Sequence, residues 1–164
     1  MNNIKYKIII DTREKQIDHI EKAFKKNNID YIRRALPIGD YMIEGPRGYV
    51  PNVVIERKAS IDELVGNLLD TSTKDENGNN RFIRELIRAK RANKKFILLI
   101  EDEKFYTNLL KGNYRSNMNP KAAKGMIMSL EAKFNNLNIV WMEKREVASY
   151  MHSILYYCLR EDLK

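Results

Sequence analysis

The 164-residue sequence contains one cysteine and two histidines. Cys158 by itself excludes an internal disulfide and leaves no thiolate cluster for zinc. His19 and His152 lie far apart in the chain, so the sequence points neither to a histidine-rich metal site nor to a Ser-His-Asp triad. Long apolar runs are missing as well. The longest, Ile8-Ile9-Ile10 and residues 96–100, are far too short to span a bilayer. Lys5 and Lys7 break up the N-terminus and no apolar region follows, which argues against a signal peptide. A reducing, cytoplasmic setting with no membrane partner is therefore expected. Acidic charge is also in deficit, with 22 Asp and Glu against 30 Lys and Arg, a net +8. That balance suits a polyanion, because neutralised phosphates release counterions, yet many basic soluble domains bind no nucleic acid. Charge alone leaves the choice open.

What is present alternates between apolar runs and helical periods. Residues 4–10, 31–36, 41–44, 49–58, 96–100 and 138–142 read as strands, and residues 17–26, 81–92 and 145–159 as helices. Gly45-Pro46-Arg47-Gly48 predicts a hairpin turn, and Ser60-Ile61-Asp62-Glu63 a capping box opening a helix that runs to Leu69. Residues 71–80 are polar and read as a mobile loop. Asn119-Pro120 caps a further helix with Ala123, Met126, Ile127, Leu130 and Phe134 on one face. No repeat or linker divides the chain. The pattern predicts a single α/β domain over 1–164, a mixed sheet with helices on its faces.

Val53-Val54-Ile55-Glu56-Arg57-Lys58 carries the chemical signal. Alternation along a strand places Glu56 and Lys58 on one face. Charges at the end of an apolar strand are costly unless something uses them. A carboxylate there can hold a divalent cation, and an ammonium two residues on can orient or help deprotonate an attacking water. A lone Glu-x-Lys is common by chance and usually an exposed ion pair. The signal strengthens because Gly39-Asp40 immediately precedes the hairpin that delivers Glu56. Two carboxylates and water suit Mg²⁺, or Mn²⁺, which prefer oxygen ligands. Asp11 and Glu14, after the first strand, are candidates for further ligation or for orienting water.

Gly39-Asp40 followed by Glu56-Arg57-Lys58-Ala59-Ser60-Ile61-Asp62 resembles the GD…ERKxxxD signature of the XPF-type structure-specific endonucleases. Asp11-Thr12-Arg13-Glu14 is similar to that family's first acidic motif. Arg81-Phe82 matches its usual helical arginine, and Leu98-Leu99-Ile100-Glu101 its next core strand. The resemblance covers nearly the whole chain. It implies a restriction-endonuclease-like fold and a metal-dependent site. Asp40, Glu56 and Asp11 are the expected metal ligands, with the Arg57 carbonyl completing the set. Lys58 would position water, Glu14 would support the site, and Arg13 would face substrate. The implied reaction is hydrolysis of DNA phosphodiesters at branches, flaps or forks. Family members often carry helix-hairpin-helix or helicase domains that help bind junctions. A 164-residue chain has no room for them, so branch preference has less support than the chemistry.

Arg81, Arg84, Arg88, Arg91 and Lys95 fall at helical spacing, relieved mainly by Glu85, and predict a basic stripe for phosphate contact, unless they form an ordinary solvated face. Val147, Met151, Ile154, Leu155 and Cys158 read as a core face. Tyr150, Tyr156 and Tyr157 suit a homodimer interface, which the resemblance also implies. Trp141 is expected beneath a helix, and Phe105 with Tyr106 form a weak candidate for base stacking. The alternative to an enzyme is an inactive nuclease-fold scaffold that binds DNA or pairs with an active subunit. Retention of the acidic residues favours catalysis. A nuclease of plain linear duplex would share the chemistry without preferring branches.

Overall fold

A computed structural model describes residues 3–164. Six strands form one mixed sheet: β1 (Lys7–Ile10), β2 (Tyr31–Arg33), β3 (Tyr41–Glu44), β4 (Val53–Lys58), β5 (Lys95–Ile100) and β6 (Leu137–Trp141). Their order is β2-β1-β3-β4-β5-β6. β3 runs antiparallel to both β1 and β4, while β1–β2, β4–β5 and β5–β6 are parallel. β1, β4, β5 and β6 therefore end at one edge, where β3 begins. Ligand sites in open α/β sheets form beyond such carboxyl ends. Asp11, Asp40, Lys58 and Glu101 all fall at that edge.

Helices α1 (Asp18–Lys26) and α6 (Val147–Asp162) cover one face. α2 (Ile61–Leu69), α3 (Arg81–Arg91), α4 (Phe105–Lys111) and α5 (Pro120–Lys133) cover the other. Two apolar cores result. Val54, Leu98 and Ile100 pack with α2 to α5, and Val53, Ile55, Ile97 and Leu99 with α1 and α6. The same alternation sends Glu56 and Lys58 toward α2 and α3 and sends Arg57 toward α1.

The α/β expectation holds, with adjusted ends. β4 starts at Val53 rather than residue 49, since Pro51 offers no N–H to a ladder and a 3-10 turn occupies Pro46–Gly48. The helix α4 was not predicted. It has seven residues, no side-chain cap at its start and too short an apolar pattern to show a period; it ends at left-handed Gly112. Its Phe105 belongs to the core, so the proposed stacking pair is not a platform. Tyr106 stacks on Trp141 at 6.2 Å, and Trp141 is 42% exposed rather than covered. Met126 likewise points outward, whereas Ala123 and Ile127 are buried as read. α3 stops at Arg91, so Lys95 opens β5 and drops out of the basic stripe. Residues 71–80 are not an open coil. Asp75 Oδ1 accepts the N–H groups of Asn77 and Asn79 at 2.9 and 2.8 Å. No helix among the described residues is long and apolar enough to cross a membrane.

Leu99 is fully buried in β5 between β4 and β6. Leu99→Ala is expected to cost about 2–5 kcal/mol, seen as a lower urea midpoint with an unchanged denaturant slope.

Candidate active site

The GD turn and the end of β4 are joined by main-chain bonds. Gly39 adopts φ +75°, and a Cβ there would sit 2.9 Å from Val54 Cβ, so glycine alone fits the close approach. Asp40 N–H donates to Ile55 O at 2.8 Å, and Asp40 O accepts Asp11 N–H at 2.8 Å. With its backbone held on both sides, the Asp40 carboxylate takes the Arg57 N–H on Oδ2 at 2.9 Å. Along β4 the carbonyls of Asn52 and Lys58 accept from the β5 side, and that of Ile55 accepts from Asp40. Strand alternation thus puts the Arg57 carbonyl on the Asp40 edge, just past the end of the β3 pairing.

Glu56 is buried and Oε1 accepts from Lys58 Nζ at 3.1 Å. Lys58 in turn lies 5.5 Å from the centroid of the Phe82 ring. Beside them opens a cleft of about 200 Å³ lined by Glu14, Asp40, Glu56, Glu63, Glu85 and the arginines 13, 57, 81 and 88, among others. A second hollow of about 260 Å³ adds Lys58 and Asn67, and shares Glu56, Glu63, Arg81 and Glu85. Burial, reinforced by the Glu56 and Glu14 carboxylates, pushes the Asp40 carboxyl up to about 9. Burial also pushes Glu56 up to about 7, with Glu85 and Glu14 adding to it against the pull of Lys58. Burial works against the Lys58 charge, but the Glu56 and Glu63 carboxylates outweigh it and raise its pKa, so the ammonium persists at neutral pH.

Behind β4 lies a second set of charges. Glu14 Oε2 accepts from the Tyr41 hydroxyl at 2.6 Å and from Arg57 Nε at 2.7 Å. Arg57 Nη2 donates to Lys15 O at 2.8 Å, and Nη1 stands 3.3 Å from Glu101 Oε1. That last contact is an ion pair off-line for a hydrogen bond. His19 Nε2 meets the same Glu101 oxygen at 2.7 Å. Tyr41, His19 and Glu101 were not singled out as site residues; only their long-range contacts identify them. Glu85 was also missed, read as an interruption of the basic stripe. Its Oε1 accepts Gly39 N–H at 2.8 Å.

The structure thus brings Glu14, Asp40, Glu56, Arg57 and Lys58 together, with Arg13, Arg81 and Arg88 on the cleft wall. Two expected residues stand elsewhere. Asp11 is fully buried, and four donors fill its two oxygens: Arg13 N, Nε and Nη2, and Leu36 N. No lone pair is left for a cation, which removes it from the ligand set. Arg84 does not line the cleft, because Nη1 donates to the carbonyls of Thr73 and Asn79 and ties down residues 71–80. Asp62 accepts Arg115 N–H at 2.6 Å, a tether to the segment after α4.

Among the described residues, no three His, Cys, Asp or Glu side chains converge as a complete metal cage. Mg²⁺ does not need one, since it keeps several waters and binds through one or two carboxylates. Asp40 Oδ1 and Glu56 Oε2 carry no protein hydrogen bond and are not sealed from solvent. Together with the Arg57 carbonyl they fit a hard divalent cation.

The mixed sheet with helices on both faces is an α/β fold that recurs in known structures. XPF from Aeropyrum pernix matches with a TM-score of 0.68 at 17% identity, over 96% of this chain and 64% of that one. XPF from Aeropyrum pernix in complex with DNA matches with a TM-score of 0.64 at 15% identity, over 96% and 66%. The chain spans a little under two thirds of the length of these structures. The ERCC4 domain model matches residues 10–154, and the chain belongs to the ERCC4 domain family. Comparison with curated proteins by sequence finds no match.

In metal-free protein the raised Asp40 and Glu56 carboxyls bind protons that the unfolded chain releases. Their contribution to stability is full below the unfolded values of 3.8 and 4.5 and is lost as pH rises through about 7 and about 9. Urea midpoints in chelator are expected to fall between pH 5 and pH 9, and Asp40→Asn should flatten that decline.

Proposed function

We propose that the chain is a divalent-cation-dependent endonuclease that hydrolyses DNA phosphodiesters. The observation that carries this reading is the pairing of half-buried Asp40 with buried Glu56, two carboxylates with free oxygens, beside a charged Lys58. Membership of the ERCC4 domain family and the likeness to an XPF structure titled as a complex with DNA support DNA as the substrate.

Asp40, Glu56 and the Arg57 carbonyl would hold Mg²⁺, with Mn²⁺ as a substitute. When bound, the ion supplies Lewis-acid activation of the phosphate and of the attacking water. Lys58, anchored by Glu56 and set against Phe82, donates hydrogen bonds that orient the water. Its retained proton makes it an orienting group rather than a base. Glu14 aligns Arg57, and through it the strand end that carries the carbonyl. Asp11 acts by locking Arg13 against Leu36 O. Arg81 and Arg88 are exposed on the cleft wall, placed to contact phosphates flanking the cut. Arg13 reaches the same wall with its guanidinium already paired to Asp11, and serves substrate by shape and charge. Branched, flap or fork DNA is the proposed substrate, and a homodimer in a reducing cytoplasm the proposed setting.

The reading is tested on flap, fork, linear duplex and single-stranded DNA at fixed salt, with Mg²⁺ and with chelator. Cutting with Mg²⁺, lost in chelator and in Asp40→Asn and Glu56→Gln, is the expected result. Failure to cut any of them while Asp40→Asn binds DNA as well as wild type would favour the scaffold alternative. Lys58→Ala should lower kcat by roughly 10²–10³-fold, as for loss of one preorganised donor, while Mn²⁺ still binds in calorimetry. Arg81→Ala and Arg88→Ala should each reduce the slope of log affinity against log salt by about 1.

A further inference from the structure

Two of the contacts that hold the segment ending in Asp40 come from α3. Glu85 Oε1 accepts the Gly39 N–H at 2.8 Å, and Arg88 Nη2 reaches Pro37 O at 3.4 Å. Asp40 itself is held by its N–H on Ile55 O, by the Asp11 N–H on its carbonyl and by the Arg57 N–H on its carboxylate. Gly39 is buried at positive φ against Val54, so its N–H direction is set by the same backbone torsions that aim Asp40. An unpartnered Gly39 N–H would leave a buried donor unsatisfied and favour rotation of that peptide. Glu85 sits on α3 one turn from Arg81 and one turn from Arg88, the arginines on the cleft wall.

We propose that Glu85 is a positioning residue of this site: through the Gly39 N–H it holds Asp40 in cation-binding geometry and couples that geometry to α3. The proposal rests on the reading of Asp40 as a cation ligand. It assigns to Glu85 the work of an acceptor, not of a ligand or a charge. The carboxamide oxygen of a glutamine can accept the same N–H. Alanine cannot reach it. Partners that orient ligands in this way typically change metal affinity or activity by about 10–100-fold when removed.

The experiment compares wild-type chain, Glu85→Ala and Glu85→Gln. The readouts are Mn²⁺ affinity by calorimetry with the metal alone, hydrogen exchange at the Gly39 amide, thermal unfolding, and the single-turnover rate at saturating Mg²⁺. Glu85→Ala is expected to weaken Mn²⁺ binding by roughly 10–100-fold. It should also expose the Gly39 amide to exchange, with little change in melting temperature. Glu85→Gln should recover most of what alanine loses in Mn²⁺ affinity, Gly39 amide protection and single-turnover rate. Glu85→Gln as impaired as Glu85→Ala overturns the proposal, because the carboxylate itself would then be in use. So does a Glu85→Ala variant that melts lower yet binds Mn²⁺ like wild type. If Glu85→Ala does not fold, wild type decides, since fast exchange at its Gly39 amide removes the proposed bond. Protein that shows the expected Mn²⁺ and exchange results but cuts no DNA overturns the nuclease reading alone. Protein that cuts DNA with Glu85→Ala indistinguishable from wild type overturns this proposal alone.

Discussion

The main-chain N–H of Arg57 donating to the Asp40 carboxylate is the bond around which the site is organised. It crosses from β4 to the turn before β3, two strands whose ladder is otherwise short, with a single paired register position at Tyr41 and Ile55. Carboxylates held by backbone donors lose little rotamer freedom on binding a cation, because the orientation already exists. The glycine before Asp40 makes this possible. Any Cβ at Gly39 would press on Val54 and push the turn away from β4.

β4 then separates two kinds of electrostatics. On the cleft side, Asp40 and Glu56 are both raised, since burial and neighbouring acids outweigh the one nearby ammonium. That imbalance is the condition a divalent cation relieves. Arg57, which also borders the cleft, is enclosed toward α1 by Glu14 and Glu101, with the Tyr41 hydroxyl donating to Glu14. Breaking one partner of such a buried set leaves an uncompensated charge, which typically costs about 3–5 kcal/mol. Arg57 is therefore structural through its side chain, while its main-chain N–H fixes the Asp40 carboxylate.

Helix α3 links the site to the surface. Phe82 and Leu86 anchor it in the core, while Arg81, Glu85 and Arg88 look onto the cleft. The net charge of +8 does not mean a basic cleft. The interior is acidic and the arginines stand on the wall, an arrangement that suits a phosphate backbone approaching a cation.

Much of this was legible in the one-dimensional pattern. Period-two alternation placed Glu56 with Lys58 and against Arg57, and the apolar runs gave the sheet its strands, because those rules act over a few residues. The capping residues Ser60 and Asn119 mark helix starts for the same local reason. Contacts between distant segments were beyond it. Asp11 carries the same carboxylate as Asp40, yet four donors fill one and a single backbone N–H leaves the other open. Arg84 and Arg88 sit on one helix, yet only Arg88 lines the cleft, because residues 71–80 fold back onto Arg84. Glu85 looked like an exception in a basic stripe until the turn at Gly39 closed on it. The sequence by itself determined which residue types could do the chemistry and on which strand face they lie. Which lone pairs stay free for a cation was decided only by tertiary structure, since that depends on donors arriving from elsewhere in the chain.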